Sequence, residues 1–294
     1  MSVQSWKIGD VKVTKILESD GPSPYPMIPE ATPEAVLPMK WLPPGLLTEN
    51  GDLILSFHAL LVETNGLKIV VDTCVGNEKD RGGIPGMHMR HGQFLEVFER
   101  IGCRREEVDV VLCTHLHVDH VGWNTMLVDG KWQPTFPRAR YLFGRTEYDH
   151  WTKHAQSSGE SFEKTLVENL LADSVRPIVE AGLVDFVETN HVISPEIRLV
   201  STPGHSPGHV SVEITSAGQR GIITGDVMHH PCQLAHPQWR NVVDYDIDMG
   251  IATRRRFCEE VADTDALVIG THWAGPTAGH VVRDGAAYRL RTGK

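Results

Sequence analysis

The sequence has no Cys-x-x-Cys pair, no run of about 18 apolar residues and no dense block of lysine and arginine. Each absence excludes something. Five cysteines, at positions 74, 103, 113, 232 and 258, are odd in number, which argues against a disulfide framework and for a reducing compartment. Each then reads as a small buried residue. Without a long apolar run there is no candidate membrane span, and the opening MSVQSWKIGD lacks the basic and apolar regions of a secretion signal. The expectation is a cytoplasmic protein. Lys plus Arg number 28 against 38 Asp plus Glu, a formal net charge of −10, so neither nucleic acid nor an anionic membrane is an expected partner.

What is present points to one domain over residues 1–294, with apolar content sufficient for a sizeable core. FHALLVET and LKIVVDT are β-branched, apolar runs joined by Asn65-Gly66, a pair that tolerates the positive φ of a type I′ hairpin turn. In HGQFLEVFERIG, Phe94, Val97, Phe98 and Ile101 form one helical stripe, and VDVVLCT follows as a short buried strand. A second half repeats this grammar with helical SFEKTLVENLLADSV and IATRRRFCEEVA, and strand-like EIRLVST, HVSVEIT, RGIITGD and ALVIGT. Residues 20–50 are rich in proline, exclude a regular helix or central strand, and read as a lid or a dimer arm.

The chemistry concentrates at Cys113–Gly122, CTHLHVDHVG. Residues i and i+2 of an extended segment point the same way, so His115 and His117 can address one ion while Asp119 and His120 reach a neighbouring one. A lone loop histidine is usually just solvated, but four ligand-type residues at this spacing describe a two-metal pattern. Three further candidates stand just past strand-like runs: His205 in STPGHSPGH, Asp226 ending GIITGD and His272 ending LVIGTH. Five imidazoles and two carboxylates make a plausible dinuclear set, with zinc favoured and Fe²⁺ or Mn²⁺ acceptable.

THLHVDHVG, TPGHSPGH, TGD and GTH, in this order and spacing, resemble the metallo-β-lactamase superfamily from about Phe57 to His272. The resemblance implies an α+β fold, an αββα sandwich of two mixed sheets packed face to face with helices outside. It also implies roles: His115, His117 and His205 on one metal, Asp119, His120 and His272 on the other, and Asp226 bridging. Asp72 falls where members often carry an aspartate that supports a ligand from behind, although a turn or strand-end cap would equally place it there. His209, four residues after His205, reads as another such support.

Members that carry glutamate where His117 stands perform redox chemistry, and zinc β-lactamases commonly carry cysteine where Asp226 stands; neither substitution occurs here. RNA-processing members carry an inserted domain, of which there is no sign. Glyoxalase II adds a C-terminal helical domain, for which the 22 residues after His272 are too few. The remaining likeness is to N-acyl homoserine lactonases and methyl parathion hydrolases.

The implied activity is a dinuclear metal-dependent hydrolase opening a lactone or cleaving another carboxylic ester through a metal-bridging hydroxide, with Asp119 shuttling a proton. The alternative is organophosphate triester hydrolysis, followed by a thioesterase or a non-catalytic binding protein. Lactonases often carry a tyrosine three residues after the bridging aspartate; here that residue is His229, which could offer the same hydrogen bond to substrate, support a ligand from behind, or simply be exposed. Trp123, Met228 and Trp273 are candidates for pocket walls, with core packing the ordinary fate of such side chains. His150, His154, His230 and His236 read as solvated. The expected partner is a small ester or lactone, and a homodimer is open.

Overall fold

The computed structural model describes residues 3–293 and divides into two compact units. The first is built from residues up to 7, 11–18 and 57–188; the second from 8–10, 19–56 and the residues from 189 onward.

One seven-stranded sheet, most of it in the first unit, has the order Ser5–Ile8, Val11–Pro22, Ile54–Thr64, Leu67–Val71, Val110–Leu112, Arg140–Gly144, Val184–Val187. Strands Ile54–Thr64 and Leu67–Val71 form the antiparallel hairpin, and Asn65 and Gly66 take φ of 45° and 79°, as a type I′ turn requires. The next three pairings are parallel, which makes the sheet mixed. Val71 lies opposite Leu112, so Asp72 and Cys113 leave the sheet side by side, and the Asp72 N–H donates to the Leu112 carbonyl at 2.8 Å.

Helix Phe94–Arg100 buries Phe94 and Phe98 in an apolar cluster with Val70, Val111, Tyr141 and Trp151. Each such fully buried side chain contributes about 1.5–3 kcal/mol. Helix Phe162–Leu170 runs into a π-helical stretch, Leu171–Val175, before Arg176–Glu180. Pro177, four residues after Asp173, has no N–H to give back to the Asp173 carbonyl. Lys79 Nζ takes that carbonyl at 2.9 Å, with the Thr125 hydroxyl beside it, while Arg81 pairs with the Asp173 carboxylate at 2.7 and 3.0 Å.

The second unit has its own seven-stranded sheet, ordered Val192–Ser194, Ile197–Ser201, Val210–Ser216, Gln219–Ile223, Leu267–Ile269, Ala278–Asp284, Ala287–Arg291. Its one parallel pair is decisive for the site: Ile223 lies opposite Ile269, so Asp226 and His272, each three residues further on, leave the same edge. Ser201 lies opposite Val210 and Val212 opposite Ile223, which puts the loop bearing His205 at that edge too.

The 20–50 segment belongs to this second unit, where Ile28, Val36 and Leu53 pack with Cys232 and Trp239. Contrary to the sequence expectation it contains a short helix, Pro33–Val36, because Pro33 stands in the first turn, where a missing N–H costs nothing. No helix among the described residues is long and apolar enough to cross a membrane. All five cysteines are buried and free.

Candidate metal centre

Each unit carries a cluster of metal-ligand chemistry at the end of its strands. In the first unit, His115 Nε2 lies 3.0 Å from His117 Nδ1, and the His115 and His120 rings are tilted 47° to each other with centroids 4.0 Å apart. Two nitrogens held tetrahedrally by zinc at about 2.05 Å would be roughly 3.3 Å apart, so this convergence suits a shared ion. His120 is fully buried, with Nε2 3.7 Å from Asp119 Oδ1 and Nδ1 3.0 Å from Asp72 Oδ2. Asp72 also accepts from the Thr114 N–H at 2.8 Å and from its hydroxyl. A carboxylate at Nδ1 keeps the proton there and leaves Nε2 as the lone-pair end.

The loop that presents these residues is pinned by backbone bonds from Thr73 to the His120 carbonyl and from Gly122 to the Cys74 carbonyl, each 2.8 Å. A Cβ on Gly122 would lie 1.9 Å from the Val75 carbonyl oxygen, so no other residue fits that approach. Two groups that sequence reasoning missed support the same loop. Buried Glu147 accepts from the Leu116 N–H at 3.2 Å and from Trp151 Nε1 at 2.8 Å. Buried Glu18 accepts from Val75, Gly76 and Trp123 Nε1. Burial pushes the Glu18 carboxyl up, opposed by Arg90 and these N–H donors. Neither glutamate stands in a motif.

In the second unit, Asp226 sits on a short 3₁₀ turn, Gly225–Val227, with three imidazoles around its carboxylate. Nε2 of His205, His229 and His272 lies 3.3, 3.1 and 3.2 Å from Asp226 Oδ2. All four residues are buried. A buried carboxylate with imidazole nitrogens converging on it is an ordinary donor set for zinc, iron or manganese, so the cluster fits a divalent ion. His272 Nδ1 faces the Ser56 carbonyl at 3.1 Å, which keeps its proton there and leaves the Nε2 lone pair toward Asp226.

His209 is not among the convergent nitrogens: its Nε2 accepts the Asp226 N–H at 2.7 Å while Nδ1 lies 3.0 Å from the Thr202 carbonyl. It therefore fixes the backbone from which Asp226 projects. Gly225, at φ +54°, gives His209 room, since a Cβ there would lie 2.5 Å from its Nε2. Behind His205, Asp244 Oδ1 lies 3.0 Å from Nδ1; behind His229, Asn241 Nδ2 lies 2.6 Å from Nδ1. Burial pushes the Asp244 carboxyl up, and His229 and Arg254 pull it back.

Trp123, Met228 and Trp273 are all packed in apolar clusters; Trp123 stacks on Phe94 with centroids 5.3 Å apart, and Met228 and Trp273 are wholly buried. His230, expected to be solvated, is also wholly buried, with Nε2 2.9 Å from the Leu46 carbonyl. Its burial lowers the imidazole pKa to about 4, so the side chain is neutral. His150, His154 and His236 are half-buried.

The sequence pattern of the metallo-beta-lactamase superfamily matches residues 58–269. The chain belongs to the metallo-β-lactamase superfamily. Its α+β fold with two mixed sheets is that of the superfamily. An N-acyl homoserine lactonase from a Bacillus species is 27% identical over 242 residues, 77% of this chain and 84% of that one. The Bacillus cereus N-acyl homoserine lactonase is 27% identical over 179 residues, where the match spans 57% of this chain and 62% of the relative's length. Among solved structures, AidC, a dizinc quorum-quenching lactonase in complex with the product N-hexnoyl-L-homoserine, superposes with a TM-score of 0.79 at 19% identity, covering 99% of this chain and 97% of the other. The hydrolase AbOPH superposes with a TM-score of 0.78 at 23% identity, covering 98% and 96%.

Proposed function

We propose that the chain is a dinuclear metal-dependent hydrolase that opens a lactone or a similar carboxylic ester. The observation that carries this reading is the buried Asp226 carboxylate with three imidazole Nε2 atoms within 3.3 Å. Buried carboxylates and imidazoles in such number are costly unless they serve one another or an ion. The likeness to N-acyl homoserine lactonases supports a lactone as the substrate class.

In this reading His115, His117 and His205 would hold one ion, Asp119, His120 and His272 would hold the second, and Asp226 would serve both. Bound divalent ions, zinc by preference, supply Lewis-acid polarisation and lower the pKa of the attacking water. The protein's own residues do the rest. Asp72, the Ser56 carbonyl and Asp244 hold the protons of three ligand imidazoles on Nδ1. His209 fixes the backbone of Asp226. Asp119, more open to solvent than the buried ligands, carries a proton to the leaving oxygen. His229 is the candidate contact to substrate.

The test is a pH-stat assay of zinc-loaded protein on a medium-chain N-acyl homoserine lactone, with an aryl phosphotriester in parallel and a chelated sample as control. Lactone opening that chelation abolishes and zinc restores supports the reading. Phosphotriester turnover without lactone turnover moves the substrate to the organophosphates. Full activity in metal-free protein contradicts the metal mechanism.

A further inference from the structure

His205 and His229 offer the same atom, Nε2, to the same oxygen, Asp226 Oδ2, at 3.3 and 3.1 Å. What stands behind them differs. Asp244, whose side chain is wholly buried, turns Oδ1 to His205 Nδ1 at 3.0 Å and Oδ2 to the Arg254 guanidinium at 3.4 Å. Asn241 accepts the Val243 N–H on Oδ1 at 3.1 Å, which identifies the atom 2.6 Å from His229 Nδ1 as the amide nitrogen. An ionised carboxylate only accepts hydrogen bonds, and an amide nitrogen only donates them.

A neutral imidazole has one proton, and the neighbour of one ring nitrogen decides which nitrogen keeps it. Beside Asp244, His205 keeps its proton on Nδ1, and the Nε2 lone pair faces Asp226. Beside Asn241, His229 Nδ1 accepts, so the proton sits on Nε2. Two imidazoles in equivalent positions thus receive opposite chemistry from residues three apart in the chain.

The turn that does this is pinned on every side. Asp244 N–H donates to the Asn241 carbonyl at 3.2 Å, Tyr245 N–H to the His205 carbonyl at 3.0 Å, Asp246 N–H to Gly204 at 2.9 Å and Val242 N–H to Met27 at 3.0 Å. Arg254, 1% exposed on helix Ile247–Val261, donates to the carbonyls of Val227, Pro237 and Trp239 at 2.8, 3.1 and 2.6 Å as well as facing Asp244. Gly250 of the same helix leaves room for the carboxylate, since a Cβ there would lie 2.7 Å from Asp244 Oδ2.

We propose that Asp244 and Asn241 are positioning residues that make His205 a metal ligand and His229 a hydrogen-bond donor, its Nε2–H facing Asp226 Oδ2 at 3.1 Å. This rests on the metal-hydrolase reading above. The third imidazole around Asp226 is thereby kept from competing for the ion.

The experiment measures zinc affinity by competition with a chromophoric chelator, and kcat and KM on an N-acyl homoserine lactone, for Asp244→Asn, Asn241→Asp, His229→Gln and His205→Gln. Circular dichroism checks the fold of each. Asp244→Asn places a donor at His205 Nδ1 and is expected to weaken one zinc about 10–100-fold. His229→Gln is expected to leave zinc affinity within about twofold of wild type while lowering kcat; Asn241→Asp, which moves the His229 proton to Nδ1, lowers kcat without weakening zinc. ¹⁵N-histidine spectra of the zinc-loaded protein should show His229 protonated on Nε2. Zinc affinity lost in His229→Gln as in His205→Gln, or unchanged in Asp244→Asn, overturns the assignment. The zinc and ¹⁵N readouts need no turnover: if they hold while the lactone is not opened, the assignment stands and the substrate reading fails. A chain that binds no zinc overturns both.

Discussion

Asp72 Oδ2 lies 3.0 Å from His120 Nδ1, with both side chains buried. Asp72 has φ +57°, a left-handed backbone that aspartate and asparagine tolerate better than most residues. Asp72→Asn therefore keeps the backbone and removes the charge and the acceptor that faces Nδ1. Zinc affinity measured by chelator competition is expected to fall about 10–100-fold, with the circular dichroism spectrum unchanged. An unchanged affinity would reduce Asp72 to a strand-end cap.

The turn before Asp226 is an exacting backbone position in the second cluster. Gly225→Ala must adopt φ +54° and push its Cβ against His209 Nε2 and the Val210 carbonyl. The expected cost is about 1–3 kcal/mol of stability, read as a lowered thermal midpoint, together with weaker zinc binding as Asp226 loses the His209 bond. A variant with wild-type stability and zinc affinity would show that this turn is not constrained as described.

His230 gives a pH dependence with a defined sign. Its folded pKa is about 4, below the ~6.5 of an unfolded chain. The contribution is fully present above the unfolded value and is lost as pH falls through the window from ~6.5 to about 4, at up to ~1.4 kcal/mol per pH unit. Urea unfolding of His230→Gln against wild type across pH 4–7 should show a shallower acid decline in the variant. Parallel curves would mean that His230 is not neutral in its buried site.

Much of this was legible in the sequence because its causes are local. The Asn65-Gly66 hairpin depends on two residues that accept positive φ, and the candidate ligands follow short apolar runs visible in the sequence. What sequence reading missed depends on partners brought close only by folding. Asp244 and Arg254 follow His205 by 39 and 49 residues, in a stretch with no motif spacing. Glu18 reaches Trp123 from a strand more than a hundred residues earlier. His230 looked like a surface histidine beside proline, but the 20–50 segment covers it and supplies the Leu46 carbonyl. Trp123, Met228 and Trp273 carry no local sign that separates a pocket wall from a core position; packing decides that, and all three lie in apolar clusters.

The central claim is that Asp226 is shared between two metal ions. Zinc stoichiometry, measured by elemental analysis of wild-type and Asp226→Asn protein after gel filtration in zinc-buffered solution, tests it most directly. The account predicts two zinc ions per wild-type chain and one or none in the variant. A wild-type chain that retains no zinc, or a variant that retains both ions, would contradict it.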